Sequence, residues 1–189
     1  DVGFGEKSVA VFIALPDYDT SNWFIATVFI NQMYFTLAKL ATAMPENKLP
    51  RRVSFMLDEF GNMPPLDNME SIVTVCLGRN ITFTLAIQST KQLTRKYDDA
   101  DSIIKGNCGN WVYIMSTDME TVKEISEMLG SETITTVNRT GKKLSITKEL
   151  TEMTDEKELM TMPELLKLEM GESIVLRPMY RQARGTVSG

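Results

Sequence analysis

Short apolar runs alternate with helix-like segments from residue 9 to residue 130, and this alternation is the strongest constraint on the fold. The runs have the length and the β-branched or aromatic content of strands: VAVFIAL (9–15), VSFML (53–57), ITFTLAI (81–87) and WVYIM (111–115). Helical patterns fill the intervals at 23–44, 66–77, 89–106 and 118–129. This alternation predicts an α/β fold with a mostly parallel β-sheet flanked by helices. The continuous apolar run at 9–15 predicts a strand buried on both faces.

The helix predicted at 23–44 is long and apolar enough to cross a bilayer, which needs roughly 20 residues. Asn31, Gln32 and Lys39 lie inside it, and such groups are costly in lipid when they have no partner. We therefore interpret this stretch as a buried helix of a soluble fold. No basic-then-apolar leader precedes it, so no signal peptide is expected.

The pattern changes at Gly130, which is predicted to end the 118–129 helix with a left-handed residue. Thr117 and Glu120 predict a capping box at the start of that helix. Beyond it, SETITTVNRTGKKLSITKEL predicts an antiparallel β-hairpin that turns at Thr140-Gly141. A short helix at 162–168 and a last strand at 172–178 complete the chain.

The 189 residues fit one domain, or one domain with a small appendage, with a βα core at 9–130 and a C-terminal part at 131–189. Histidine is absent, which excludes Ser-His-Asp and Cys-His catalytic units and zinc sites that rely on imidazole. Cys76 and Cys108 lack CxxC spacing, so two inert thiols in a reducing compartment are expected.

Two adjacent carboxylates, Asp58 and Glu59, follow the strand predicted at 53–57. Ligands of open parallel sheets bind at the carboxyl ends of the strands, so this position suits a nucleotide triphosphatase. The aspartate would hold Mg²⁺ largely through its water shell, and the glutamate would orient the attacking water, as in the Walker B pattern. The alternative is a polar loop that happens to follow an apolar strand.

Gln88 ends the neighbouring apolar run, again at a predicted carboxyl end. A buried neutral amide beside a triphosphate can sense the terminal phosphate and signal to the following helix. Its alternative role is to tie down the strand-to-helix turn. Arg79, between a helix and a strand, is either a solvated arginine or an arginine finger that stabilises charge on a transferred phosphoryl group.

A phosphate-binding loop would read GxxxxGK[ST] between a strand and a helix. The closest match is GFGEKS at residues 3–8, which has the wrong spacing and precedes a predicted strand rather than a helix. We reject it. The chain therefore carries half of a nucleotide site.

Several motifs occur in a characteristic order: LDEFGNMPPL, GRNITFTLAIQSTKQLTRKY, GNCGNWVYI and ISEMLG. Together they resemble the TraG/TraD family of coupling proteins, the DNA-pumping ATPases of conjugation and type IV secretion. The resemblance covers residues 9–130 and, more loosely, the rest of the chain.

The resemblance implies a RecA-like motor that uses ATP and Mg²⁺ and assembles as a homo-hexamer around a channel. An N-terminal anchor would place the full-length protein at the cytoplasmic face of the cell membrane. The phosphate-binding loop and an all-helical insert would precede this segment, which would be the C-terminal part of the motor domain. Alone, the segment is expected to be soluble, cytoplasmic and inactive as an ATPase.

The family's site residues correspond to four positions of this sequence. Asp58 would be the magnesium-site aspartate, Glu59 the catalytic base and Gln88 the nucleotide sensor, while Arg79 would act on a neighbouring subunit's nucleotide. The implied partners are the relaxase, the proteins of the secretion channel and single-stranded DNA, which the relaxosome would deliver.

Loops facing the channel would grip DNA in such a motor. The net charge of −5 argues against a domain that wraps nucleic acid with its own surface, so only local basic groups are candidates. They are Lys91, Arg95 and Lys96, with Arg51-Arg52 and Arg139, Lys142 and Lys143 as further groups. A solvated surface is the alternative for each.

Two other functions remain open from the sequence. One is a non-catalytic module that docks relaxosome or secretion-channel components, with Asp58 and Glu59 in structural roles. The other is an unrelated parallel α/β enzyme with two acids, which the absence of histidine and of a second acidic pair at a strand end disfavours.

Overall fold

The computed structural model describes residues 2–16, 18–140 and 149–178, with the backbone alone for 135–140 and 149–155. The chain divides into two compact units, Asp1–Gly109 and Asn110–Gly189. Each unit buries a hydrophobic cluster of its own. The two units are therefore described separately.

The first unit is built around one parallel strand pair. Its elements are α1 (Trp23–Thr42), β1 (Val53–Leu57), α2 (Met69–Val75), β2 (Ile81–Leu85), α3 (Lys91–Tyr97) and α4 (Asp101–Asn107). β1 pairs with β2 in parallel, from Val53 opposite Ile81 to Leu57 opposite Leu85. The β1–α2–β2 succession confirms the predicted βαβ unit at this point of the chain.

β1 buries every second side chain. Val53, Phe55 and Leu57 are buried, whereas Met56 is 77% exposed. The Phe55 ring stacks on Phe83 of β2 with a centroid distance of 4.8 Å and an interplanar angle of 9°. The inward face of the pair is thus held by aromatic packing, which is stronger than the contact of the same area of aliphatic surface.

Helix α1 covers this core with one face. Trp23, Ile30, Tyr34 and Leu37 are buried in the same cluster as β1, and the Trp23 indole N–H donates a hydrogen bond to the carbonyl of Pro16 at 2.9 Å. By length and hydropathy alone, α1 could also cross a membrane. Its opposite face leaves large apolar side chains exposed, among them Phe24, Ile25, Val28, Phe29 and Phe35.

The strand predicted at 9–15 is wrong. These residues form no strand, and Phe12 is 92% exposed. A groove of about 570 Å³ is lined by residues of this segment on one side and by β1 on the other. The segment and β1 therefore line the same groove, and among the described strands β1 pairs with β2 alone.

The second unit contains β3 (Trp111–Tyr113), α5 (Met119–Leu129), β4 (Ser131–Thr140), β5 (Glu149–Glu158), α6 (Met162–Leu165) and β6 (Ile174–Leu176). β3 pairs with β6 and β4 pairs with β5, both antiparallel. Tyr113, Val122, Ile125, Leu165 and Leu176 form its buried cluster.

Two predictions about strands need correction. Among the described strands only β1 and β2 are parallel, so a mostly parallel sheet is not observed. The hairpin is confirmed as an antiparallel pair, but its second strand is β5, with Thr140 opposite Glu149. Gly141 of the predicted turn and the rest of 141–148 lie outside the described residues, as do Lys142 and Lys143.

The residues at the two ends of α5 can be compared with the capping residues that the sequence predicts. The Asp118 side chain accepts hydrogen bonds from the backbone N–H of Thr121 at 3.1 Å and from its hydroxyl at 2.8 Å. The predicted capping box of Thr117 and Glu120 is therefore wrong by one residue, since a carboxylate one position further on satisfies the free N–H. α5 ends at Leu129, directly before Gly130, which confirms the predicted stop. Gly130 has φ +80° and ψ −167°, so the predicted left-handed helical conformation at this residue is wrong.

We expect Phe55→Ala to lower the free energy of unfolding by about 3–5 kcal/mol, because it removes a buried ring from a stacked pair. Urea denaturation of the 189-residue chain measures this. Met56→Ala is the matched control on the exposed side of the same strand and should change stability by no more than about 0.5 kcal/mol. Equal losses in both variants would contradict the one-sided burial of β1.

Candidate active site

The carboxyl ends of β1 and β2 lie side by side. Leu57 is opposite Leu85, and the N–H of Ala86 donates to the Leu57 carbonyl at 3.0 Å, so the pairing continues past the end of β2. The residues that follow each strand therefore emerge at one edge. Glu59 and Gln88 meet there, as the sequence predicts.

Glu59 turns the chain at this edge. Its φ is +57°, a left-handed conformation that costs a non-glycine residue roughly 1–2 kcal/mol. The N–H groups of Asn62 and Met63 donate to its carbonyl at 2.7 and 3.3 Å, which closes a tight turn. We call residues 58–63 the acid turn. Its reversal directs the Glu59 carboxylate toward the residues after β2.

The Glu59 carboxylate accepts hydrogen bonds from two amide side chains. The Gln88 Nε2 lies 3.3 Å from Oε1 and 3.2 Å from Oε2, and the Asn62 Nδ2 lies 2.7 Å from Oε2. All three side chains are exposed. A carboxylate that is oriented by neutral donors and open to solvent is placed to accept a proton from a bound water molecule.

Gln92, in the first turn of α3, completes the arrangement. Its Oε1 accepts from the backbone N–H groups of Gln88 and Ser89 at 2.9 and 3.3 Å, and its Nε2 donates to the Asn62 Oδ1 at 3.2 Å. Glu59, Asn62, Gln92 and Gln88 thus form a closed cycle of hydrogen bonds, which we call the amide ring.

Sequence reasoning missed Asn62 and Gln92. The available signal was their spacing: Asn62 follows Glu59 by three residues, and Gln92 follows Gln88 by four. Polar side chains one turn away from a candidate site residue are placed to contact it when the chain turns or enters a helix.

Asp58 is exposed and lines the groove beside β1. In the described part of the chain, no group of three or more His, Cys, Asp or Glu residues could hold a metal ion. Mg²⁺ typically takes one or two carboxylates and completes its shell with water and phosphate oxygens. A single carboxylate at this edge fits a role of that kind, in which the nucleotide supplies the remaining ligands.

The C-terminal end of helix α3 also contacts the acid turn. The Tyr97 hydroxyl accepts the backbone N–H of Leu66 at 3.0 Å, and its ring stacks on Phe60 at 5.8 Å. The Lys96 ammonium donates to the Met63 carbonyl. Burial lowers the pKa of Lys96 and raises the pKa of Tyr97.

The basic residues of α3 differ in their contacts and in their exposure to solvent. Lys96 anchors the acid turn, and Lys91 is half-buried at the helix start, whereas Arg95 is exposed. Away from α3, Arg51 is engaged with its own unit, because its guanidinium donates to the Ser8 hydroxyl at 2.9 Å and to the Glu6 carbonyl at 2.7 Å. Of these residues, Arg95 is the one presented to solvent.

Arg79 lies at the opposite end of the strand pair. It precedes β2, and its guanidinium donates to the Tyr34 hydroxyl at 3.3 Å. A five-residue strand spans roughly 16 Å, so Arg79 is not brought together with Glu59. The GFGEKS segment is also at this end, since the Gly3 carbonyl accepts the N–H of Arg51 at 3.2 Å.

Comparison with known proteins decides the family. The family described as "TraM recognition site of TraD and TraG" matches residues 52–170, which is more than half of the chain. The chain belongs to the TraG/TraD family of conjugative coupling proteins. The matched region runs from the start of β1 past α6 and contains the acid turn and the amide ring.

Curated relatives show the same affiliation. The chain is 33% identical over 100 residues to an uncharacterised protein of Bacillus anthracis, covering 53% of this chain and 37% of that one. It is 28% identical over 130 residues to VirD4 of Rhizobium radiobacter, covering 68% and 19%, and 34% identical over 95 residues to VirD4 of Agrobacterium fabrum, covering 50% and 14%. The coupling-protein segment thus spans between 14% and 37% of the length of these relatives.

Solved structures show the fold. The conjugative coupling protein TrwB in its unbound form matches with a TM-score of 0.64 at 17% identity, covering 82% of this chain and 35% of that one. TrwB in complex with the non-hydrolysable ATP analogue ADPNP matches with a TM-score of 0.62 at 16% identity, covering 85% and 35%. The segment therefore shares the fold of part of TrwB.

Tyr97→Phe should lower the free energy of unfolding by about 1–3 kcal/mol, because the N–H of buried Leu66 loses its acceptor while the ring stack remains. Chemical denaturation measures the loss. Tyr18→Phe, at a 90% exposed position, is the control and should be neutral. A Tyr97→Phe variant as stable as the control would show that the hydroxyl does not anchor the loop.

Proposed function

We propose that this chain is part of the ATP-driven motor of a conjugative coupling protein, which recruits single-stranded DNA or relaxase-bound DNA and pumps it into a type IV secretion channel. One observation carries the proposal. The Glu59 carboxylate and the Gln88 amide, which come from two parallel strands, meet at the edge where such folds bind ligands.

In this proposal Glu59 is the general base that takes a proton from the attacking water. Gln88 contacts both the carboxylate and, in the nucleotide-bound state, the terminal phosphate. Asp58 would hold Mg²⁺ through water, and a bound ion would supply positive charge beside the transferred phosphoryl group. The complex of TrwB with an ATP analogue supports a nucleotide as the ligand of this fold.

The remaining parts of the motor would come from elsewhere in a longer protein. The sequence has no GxxxxGK[ST] loop, so the 189-residue chain alone is expected to hydrolyse ATP poorly or not at all. Arg79, remote from Glu59 in its own chain, would act on a neighbouring subunit's nucleotide in a homo-hexamer. The exposed apolar faces of α1 and residues 9–13 are surfaces that a larger membrane-anchored protein would cover.

A second function is favoured by the family match itself. The matched family is described as a recognition site for TraM, and the match spans both units of the chain. The segment would then dock a relaxosome protein, with its carboxylates in structural roles. The two functions are compatible on one chain, and the site variants below separate them.

In the full-length protein, Glu59→Gln should lower kcat for Mg²⁺-dependent ATP hydrolysis by about 10²-fold or more, because an amide cannot accept the proton. The substitution keeps the size of the side chain. Phosphate release under steady-state conditions measures the loss. Glu46→Gln, whose side chain is 79% exposed, is the matched control and should retain the wild-type rate.

Full turnover by the Glu59→Gln variant would overturn the catalytic assignment. It would leave the docking function as the better account, and binding of a relaxosome protein by the same variant would then be the property to measure.

Arg95→Ala should weaken binding of single-stranded DNA to the full-length protein about equally for all sequences and reduce the salt slope of binding by about 1, because a phosphate contact releases a counterion. Titrations at several salt concentrations measure both quantities. Lys123→Ala, at an exposed position paired with Glu127, is the control. An unchanged slope in the Arg95 variant would exclude it from the DNA path.

A further inference from the structure

The amide ring contains a residue whose role goes beyond the site assigned above. Gln92 makes three hydrogen bonds with one carboxamide: two accepted from backbone N–H groups and one donated to Asn62. Backbone N–H groups can only donate, so the Gln92 oxygen must face them and its nitrogen must face Asn62. The Asn62 oxygen then accepts, and its nitrogen faces the Glu59 carboxylate, which can only accept. Every amide orientation in the ring is thus forced by chemistry.

Loss of Gln92 would remove support from both donors of the Glu59 carboxylate. One donor, Asn62, loses the group that orients its amide. The other, Gln88, loses the acceptor of its backbone N–H and hence the local conformation that aims its side chain. Both donors of the Glu59 carboxylate therefore depend on the Gln92 side chain.

Gly61 fits this side chain by leaving space for it. A Cβ at position 61 would overlap the Gln92 carboxamide, and its three nearest atoms would all belong to that group. Gly61 does not have positive φ, so the requirement for glycine here is steric and not conformational. The acid turn and Gln92 are therefore matched in shape.

Gln92 also belongs to α3, the helix that carries Arg95 and that is fastened to the acid turn through Lys96 and Tyr97. A shift of α3 would move the Gln92 carboxamide relative to Glu59. The helix and the carboxylate are joined by contiguous hydrogen bonds, which is the physical requirement for energetic coupling between them.

We propose that Gln92 is a positioning residue for ATP hydrolysis: it holds Gln88 and Asn62 on the Glu59 carboxylate and makes the geometry of that carboxylate depend on helix α3. The proposal rests on the proposed ATPase function. Gln92 touches neither water nor nucleotide in this role and acts only through the other members of the ring.

The first experiment measures steady-state ATP hydrolysis by the full-length protein carrying Gln92→Ala. We expect kcat to fall roughly ten- to hundredfold, since misplacement of a catalytic group by about 1 Å can cost 10²-fold. KM for ATP should change less than kcat, because Gln92 itself makes no contact with ATP and only the one phosphate contact assigned to Gln88 is disturbed. Thr94→Ser, on the same helix and with its hydroxyl retained, is the control and should match wild type.

The second experiment uses Gly61→Ala, which displaces the Gln92 carboxamide without changing any group of the ring. Alone it should lower kcat about as much as Gln92→Ala. In the Gln92→Ala background it should have little further effect, because the group it displaces is gone. Losses that multiply in the double variant would show that the two residues act independently and would overturn the proposal.

Gln92→Glu separates positioning from stability. The carboxylate still accepts both backbone N–H groups, so the urea midpoint should stay near that of wild type. It cannot donate to the Asn62 oxygen, so the Asn62 amide is no longer fixed in its orientation toward Glu59 and kcat should fall. A loss of kcat that only accompanies a loss of stability would show a merely structural role and overturn the proposal.

The outcomes distinguish this inference from the function on which it rests. Wild-type protein without Mg²⁺-dependent hydrolysis, or an active Glu59→Gln variant, overturns both. Normal hydrolysis that Glu59→Gln abolishes, together with a Gln92→Ala variant at the wild-type kcat, overturns the assignment of Gln92 alone.

Discussion

The parallel pairing of β1 with β2 is the interaction on which the candidate active site depends. The two strands run in register over five residues, so the chain leaves both at the same edge. The stack of Phe55 on Phe83 fixes that register from inside the core, because a slip of one residue would turn a ring to the opposite face. Glu59 and Gln88, 29 positions apart, then come within hydrogen-bond distance.

The parts of this arrangement that could be predicted from the sequence are those with local signals. An apolar run that is followed by a polar residue identifies β1, β2 and the residues at their carboxyl ends. Residues 9–15 carry the same signal but form no strand, because a strand also needs a partner's backbone at the right distance, which no local pattern encodes. Residues of this segment and of β1 instead line a groove, and Phe12 is exposed.

The spacing of Asn62 and Gln92 was not enough to predict their roles, because these roles depend on the backbone of Glu59. A glutamate at φ +57° has no sequence signature, since the left-handed region is usually occupied by glycine or asparagine. Once that turn is made, Asn62 returns to the carboxylate and the space over Gly61 receives Gln92. Such strained residues persist only where surrounding contacts hold them, and they concentrate at functional sites.

The two ends of the strand pair carry different chemistry, which bears on how the motor would be divided. The carboxyl edge presents a carboxylate held by amides, whereas Gly3 and Arg79 at the amino edge make packing and hydrogen-bonding contacts within the unit. Lys96 donates to the Met63 carbonyl, so its ammonium group is engaged as an anchor of the acid turn, and burial lowers its pKa. If this segment orients water while other residues bind the phosphates, either part alone would leave the nucleotide intact. Hydrolysis would then require both parts to be assembled. Under the proposed function, hydrolysis would therefore depend on assembly of both parts, and α3 would transmit that assembly to Glu59 through Gln92.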